Sequence, residues 1–262
     1  MIKLFEVGMY NGGTTDVLID IFERVGVDYE VYGFEPAKDM WEFLLEKYKN
    51  NPKVKVFNVA VSNFDGEAKL YNTPNKDGRT LCVTKWNAQK ENFELCKVIK
   101  FSDWFEQTGM VNKGSDDLYI IDCNIEGSEY EFYADLMDFG AVEYIDLFVG
   151  SLGDLYKIGK DPEPIESFLN QLKETKIEVL EFTAGRKQNL DIIEEVVTKL
   201  SPKGFVPPTM PAEPKQAKFT ETESVKPWFM DLKLKEEKVE EKAEEPVKKH
   251  RKKKIKKVKY EG

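Results

Sequence analysis

The chain has 262 residues, 41% of them hydrophobic, and a formal net charge of −9. That length suits one large domain or two small ones with a real core, and an acidic chain is a poor electrostatic match for a phosphate backbone. The only histidine, His250, lies in a basic terminus, so Ser-His-Asp and Cys-His chemistry and a histidine zinc site are excluded elsewhere, and any base there is Asp, Glu, Lys, Tyr or Cys.

In chain order, "IKLFEV" (2–7) reads as a buried strand, and "TTDVLIDIFERVG" follows as a helix. Val17, Leu18, Ile21, Phe22 and Val25 share its apolar face, with Thr14 or Thr15 as a cap. "YEVYGFEP" (29–36) is a second strand stopped by Pro36. Residues 38–51 form a second helix with Met40, Phe43, Leu44 and Tyr48 facing inward, and 53–62 a third strand. Strand, helix, strand, helix, strand predicts a parallel sheet with right-handed crossovers. Residues 66–72 and 93–101 alternate like half-exposed strands around an irregular middle. "SDWFEQTG" is a short helix with Ser102 as its cap. A strand over 118–123, a helix over 128–139 ending at Gly140, and a strand over 142–150 restore the α/β rhythm. A helix over 162–176, a strand over 177–183 and a helix over 189–200 follow.

Beyond about residue 200, prolines and charges dominate. The expected division is an α/β domain over 1–200 and a flexible tail over 201–262. Residues 247–262 carry nine Lys/Arg and one Glu, a charge of +8, which leaves −17 on the rest. The block Lys248–Lys259 could touch a polyanion weakly; nucleic acid is not expected at the acidic body. Cys82, Cys96 and Cys123 have no CxxC spacing, so reduced thiols and a cytoplasmic setting are expected. No apolar run approaches the roughly 20 residues that span a bilayer, and no signal peptide is expected.

Chemistry concentrates at the strand tips. In an open α/β sheet, ligands sit at the carboxyl ends of strands where the strand order reverses. The turn Glu6-Val7-Gly8-Met9-Tyr10-Asn11-Gly12 reads E-x-G-x-x-x-G, and its glycines let backbone approach a ligand closely. It is neither the dinucleotide G-x-G-x-x-G nor a P-loop. Glu35 ends the second strand, where a carboxylate can accept hydrogen bonds from two ribose hydroxyls. Glu6 suits a ligand with an ammonium and would repel a pyrophosphate. Glycine turn and acid together point to an adenosine-type ligand, with S-adenosylmethionine the best match.

The blocks "FEVGMYNGGTT", "VYGFEP", "VKVFNVAVSNFDGEAKLYN" and "YIIDCNIEGSEYE" follow one another much as in FkbM-type methyltransferases, which the chain resembles over roughly residues 2–150. The resemblance implies a Rossmann-like class I methyltransferase fold, a mostly parallel sheet flanked by helices. It implies O-methyl transfer from S-adenosylmethionine to a hydroxyl of a sugar or small polar metabolite. Family glycines match Gly8 and Gly12, and the acid of the F-E-P block is Glu35. The I-D-x-E-G-x-E block is matched by Asn124, Glu126, Gly127 and Glu129. The chain departs from the family in carrying Glu6 for Asp, Asn124 for a carboxylate, and no histidine after the fifth strand.

The expected cofactor-binding residues are Glu6, Gly8, Tyr10, Asn11, Gly12, Glu35, Ala60 and Asp122. The expected catalytic residues are Glu126, Asn124 and Glu129, with Glu126 and Glu129 also suited to a helix N-terminus as plain stabilising acids. Acids and an amide around one turn could alternatively gather a divalent cation. Trp86 and Trp104 are candidates for an acceptor pocket or for satellite core. The competing function is a methyltransferase-fold binding module without chemistry, attached through its tail.

Overall fold

The computed structural model describes residues 1–74, 78–150, 174, 177–181 and 184–200. In chain order it contains β1 (Ile2–Val7), α1 (Gly13–Arg24), β2 (Tyr29–Phe34), α2 (Lys38–Tyr48) and β3 (Val54–Phe57). Then come β4 (Ala60–Ser62), β5 (Gly66–Tyr71), β6 (Phe93–Lys100), α3 (Phe101–Gln107) and β7 (Leu118–Cys123). The series ends with α4 (Glu129–Phe139), β8 (Leu147–Gly150), β9 (Glu178–Glu181) and α5 (Lys187–Thr198). The expected helix over 162–176, apart from residue 174, and the tail over 201–262 lie outside the described residues. Among the described residues no helix is long and apolar enough to cross a membrane.

Among the described residues six strands form one sheet in the order β3-β2-β1-β7-β8-β9, every neighbouring pair parallel. The order reverses between β1 and β7, the arrangement of a doubly wound α/β fold. Alternation along the strands sends side chains to two cores. Ile2, Leu4, Ile120 and Leu147 pack against Leu18, Ile21 and Phe22 of α1 and Ile193 and Val197 of α5. Phe5, Val7, Tyr119 and Ile121 pack on the other face against Phe101 and Phe105 of α3 and Phe132 and Leu136 of α4. Register places Glu6 opposite Gly33 on one side and Asp122 on the other, so the two acids share a face at the strand tips.

Several local expectations change. The stretch over 53–62 is not one strand: β3 joins the main sheet, while β4 pairs with β6 in a second, three-stranded sheet of order β4-β6-β5. The break lies at Asn58, whose Nδ2 donates to the carbonyls of Glu35 and Pro36, both at 3.0 Å. Val17 and Phe43 lie on the exposed sides of their helices. Neither Thr14 nor Thr15 caps α1, whose cap is Gly12 in the left-handed region at φ 70°. Residues 141–144 form a 3₁₀ turn rather than the start of β8, because Gly140, at φ 72°, ends α4 just before them.

Ser102 does not cap α3 either; it is itself held. Its backbone N–H and hydroxyl donate to the two oxygens of Asp135 from α4, at 2.8 and 2.7 Å, and both residues are buried. Removing that carboxylate leaves two buried donors without acceptors. Asp135→Ala is expected to cost about 2–4 kcal/mol, read as a lower urea midpoint. A variant as stable as wild type would mean that the pair contributes nothing.

Candidate functional site

The turn between β1 and α1 is shaped by close approaches that only glycine allows. At Gly8, with φ 88°, a Cβ would come within 2.2 Å of the Asn124 carbonyl oxygen. At Gly12 it would meet the Tyr48 hydroxyl at 2.4 Å. That hydroxyl lies 2.9 Å from the Gly12 carbonyl and 2.7 Å from Asp16 Oδ1. Lys47 Nζ donates to the Asn11 carbonyl at 2.7 Å, so the end of α2 braces the whole turn. From below, Glu35 Oε2 accepts the Tyr10 N–H at 2.8 Å and Oε1 accepts the Ala37 N–H at 2.9 Å. One carboxylate thus ties the turn after β1 to the turn after β2. Its burial pushes Glu35 up to about 7, against the pull of those two N–H donors.

The turn after β7 is built as firmly. The Asn124 N–H donates to the Val7 carbonyl at 2.9 Å. Glu129, fully buried, accepts the N–H groups of Ile125 at 2.9 Å and Gly127 at 2.6 Å. Glu126 sits at φ 59°, unusual for a side chain with a Cβ. A segment of the irregular middle straps it down. Thr80 Oγ1 donates to the Glu126 carbonyl at 2.8 Å, and Cys82 Sγ lies 3.3 Å from the Gly127 carbonyl. The buried Lys85 ammonium pairs with the Glu126 carboxylate and donates to the Gly78 carbonyl at 3.1 Å.

Between these turns runs a cleft with two lobes that share Gly8, Tyr10 and Asn124. The first lobe, about 610 Å³ out to its mouth, is mostly apolar. Met40, Val59, Ala60 and Leu81 wall it, and Glu35, Arg79 and Glu126 also line it. The Arg79 guanidinium is committed to Asp39, at 2.5 and 2.7 Å. The second lobe, about 420 Å³, is lined by Glu6, Asn11, Asp122 and Asn124 under the start of α1. Asn124 Oδ1 is buried there without a donor. So is Glu6 Oε2 when both acids are ionised. Burial is the main cause holding both Glu6 and Asp122 above the usual carboxylate range, Asp122 at about 7, and the neighbouring charge of Asp122 raises Glu6 further.

Of the residues the motifs singled out, Glu6, Gly8, Tyr10, Asn11, Asp122 and Asn124 meet in the second lobe, and Glu35, Ala60 and Glu126 line the first. Gly12 and Glu129 line neither; one shapes the turn and the other satisfies backbone donors. Glu126 reaches the cleft with its charge already matched by Lys85. Among the described residues no group of three or more Asp, Glu, Cys or His is gathered as a metal ion would need. Trp104 packs in the aromatic core, 5.0 Å from Phe34, and Trp86 is exposed. Sequence reading missed Arg79, Thr80, Leu81 and Lys85, whose stretch carries no periodic signal. Compared with family models, curated proteins and solved structures, the chain has no match in any of the three.

Two outcomes are expected. Glu6, Glu35 and Asp122 bind a proton more tightly folded than unfolded. Their contribution to stability is complete below ordinary carboxylate values and is lost as pH rises toward about 7. The thermal midpoint should therefore fall between about pH 5 and pH 7.5, and fall less in Asp122→Asn. A midpoint that rises over that range in wild type would contradict the buried acids. Separately, Glu126→Ala strands the Lys85 ammonium and should cost about 3 kcal/mol in chemical denaturation, with Glu126→Gln costing less. If both variants keep wild-type stability, the ion pair is not what holds this turn.

Proposed function

We infer that the cleft binds S-adenosylmethionine and that the chain is a methyltransferase acting on a hydroxyl of a sugar or another small polar molecule. The observation that carries the cofactor reading is the pair of buried acids, Glu6 and Asp122, in the wall of the second lobe. Two buried acids and an orphan amide oxygen favour a cationic ligand end, and they disfavour the diphosphate that a doubly wound fold often receives at a helix N-terminus. The adjoining lobe supplies the rest of an adenosine site. Each Glu35 oxygen keeps a lone pair after its backbone bond, enough for a ribose diol. Met40, Val59, Ala60 and Leu81 offer an apolar slot for a flat base.

The cofactor, when bound, supplies a methyl group already activated on a sulfonium. The protein's part is then chiefly to align donor and acceptor within about 3–3.5 Å. Asn124, common to both lobes, is suited to orient a group but not to remove a proton. The acceptor class rests on the FkbM-type resemblance. Cys82, Cys96 and Cys123, none of them in a disulfide, fit a reducing, cytoplasmic setting.

A second reading, a binding module without chemistry, is favoured by one observation. The carboxylates expected to serve as base are occupied, Glu126 by Lys85 and Glu129 by two backbone N–H groups. Calorimetric titration with S-adenosylhomocysteine tests the shared part of both readings. Saturable binding is expected, and Glu35→Ala should weaken it by about 1.5–3 kcal/mol. No binding to the wild type, or unchanged affinity in the variant, would overturn the site assignment. Transfer of labelled methyl from S-adenosylmethionine to sugars then separates enzyme from module.

A further inference from the structure

We propose that Glu6 and Asp122 act as one proton-holding pair in the empty cleft, and that the ammonium of an incoming ligand takes the place of that proton. The inference rests on the S-adenosylmethionine reading and adds a mechanism of ligand selection to it. The geometry begins with the sheet. Glu6 and Asp122 are register partners on adjacent parallel strands, so their side chains leave the same face side by side. Each is about 4% exposed, and both line the second lobe. Two ionised carboxyls so placed would repel each other, and Glu6 Oε2 would be buried with no donor. One shared proton removes both costs, since register and burial hold the two carboxyls side by side.

Among the described residues the surroundings supply no competing cation. From β2, the register partner of Glu6 is Gly33, which has no side chain. From α1, the group facing Glu6 is the Thr15 hydroxyl. From the chain ahead of α5, the Ala184 N–H lies 3.4 Å from Asp122 Oδ1. Tyr48 from α2 feels the Glu6 charge, but its hydroxyl is engaged by Gly12 and Asp16. The Lys47 ammonium is bound to Asp16 at 2.6 Å. Cys123, beside Asp122, points to the opposite core. A ligand ammonium entering the lobe is thus the counter-charge that the pair lacks. It meets Glu6, Asp122 and the orphan Asn124 Oδ1, and the released proton goes to solvent.

The linkage has a definite sign. If binding expels a proton, affinity for an ammonium ligand rises with pH while the pair still holds its proton, by up to about tenfold per unit, and levels off above that range. A neutral nucleoside with no ammonium shows no such dependence.

The test is calorimetry of the full chain near pH 6.5, run in two buffers of different ionisation enthalpy. S-adenosylhomocysteine is one probe and 5′-methylthioadenosine, which lacks the amino-acid end, is the other. About one proton released per bound S-adenosylhomocysteine is expected, and none for methylthioadenosine. Glu6→Gln, and independently Asp122→Asn, should bind S-adenosylhomocysteine more weakly with the proton release lost. Binding with equal apparent heats in both buffers would overturn the proton exchange while leaving the cofactor reading standing. Binding of neither nucleoside would overturn that reading, and the inference with it.

Discussion

The cleft depends first on the Glu35 carboxylate. A carboxyl group taken out of water is costly unless its oxygens are met. Here they are met by the N–H groups of Tyr10 and Ala37, one from each of the first two crossover turns. Those turns decide where α1 and α2 begin, and α2 returns the constraint through Tyr48 and Lys47, which hold the turn at Gly12 and Asn11. The floor of the cleft is therefore preorganised by a closed loop of polar contacts. The acid that sequence reading assigned to ribose recognition is the clamp that fixes this floor.

What the sequence made legible is what local periodicity and strand-tip logic encode. Apolar runs at 2–7, 29–34 and 118–123 marked the central strands. Their order in a doubly wound sheet brings Glu6, Glu35 and Asp122 to one edge without any knowledge of contacts. What stayed hidden is decided by distant partners. Nothing near Asn58 announces that its amide will bind two carbonyls and split a strand in two. Ser102 has the right chemistry for a cap, but Asp135, 33 positions away, converts it from donor of a cap to recipient of one. Lys85 lies 41 positions from Glu126, in a stretch without pattern, and it changes the meaning of that glutamate from free base to half of an ion pair.

The same strand order can serve opposite ligands, and the difference is local. A glycine turn leading into a helix presents N–H groups and a positive dipole end, which favour an anion. In this chain two buried carboxyls sit on the neighbouring strand tips under that helix start. Even with one proton shared between them, the remaining net charge of such a pair outweighs a partial dipole charge at a few ångströms in a site with little water. Acids at this place oppose the binding of a phosphate, with no change in topology.

Backbone strain points to the same place from an independent direction. Among the described residues two non-glycine positions have clearly positive φ, Tyr10 at 49° and Glu126 at 59°. Such conformations persist only where neighbouring structure over-determines them. Tyr10 is held by Glu35 and by the bracing of α2, and Glu126 by Thr80 and Lys85. Both residues line the first lobe, as do Gly8 and Asn124. The irregular segment between β5 and β6 helps make the second of these conformations tenable, because it brings a hydroxyl to the Glu126 carbonyl and an ammonium to its carboxylate. That segment also places Leu81 against the apolar wall. A stretch that looks like a loose insertion is therefore a structural wall of the cleft, and its contacts fix the shape of that wall.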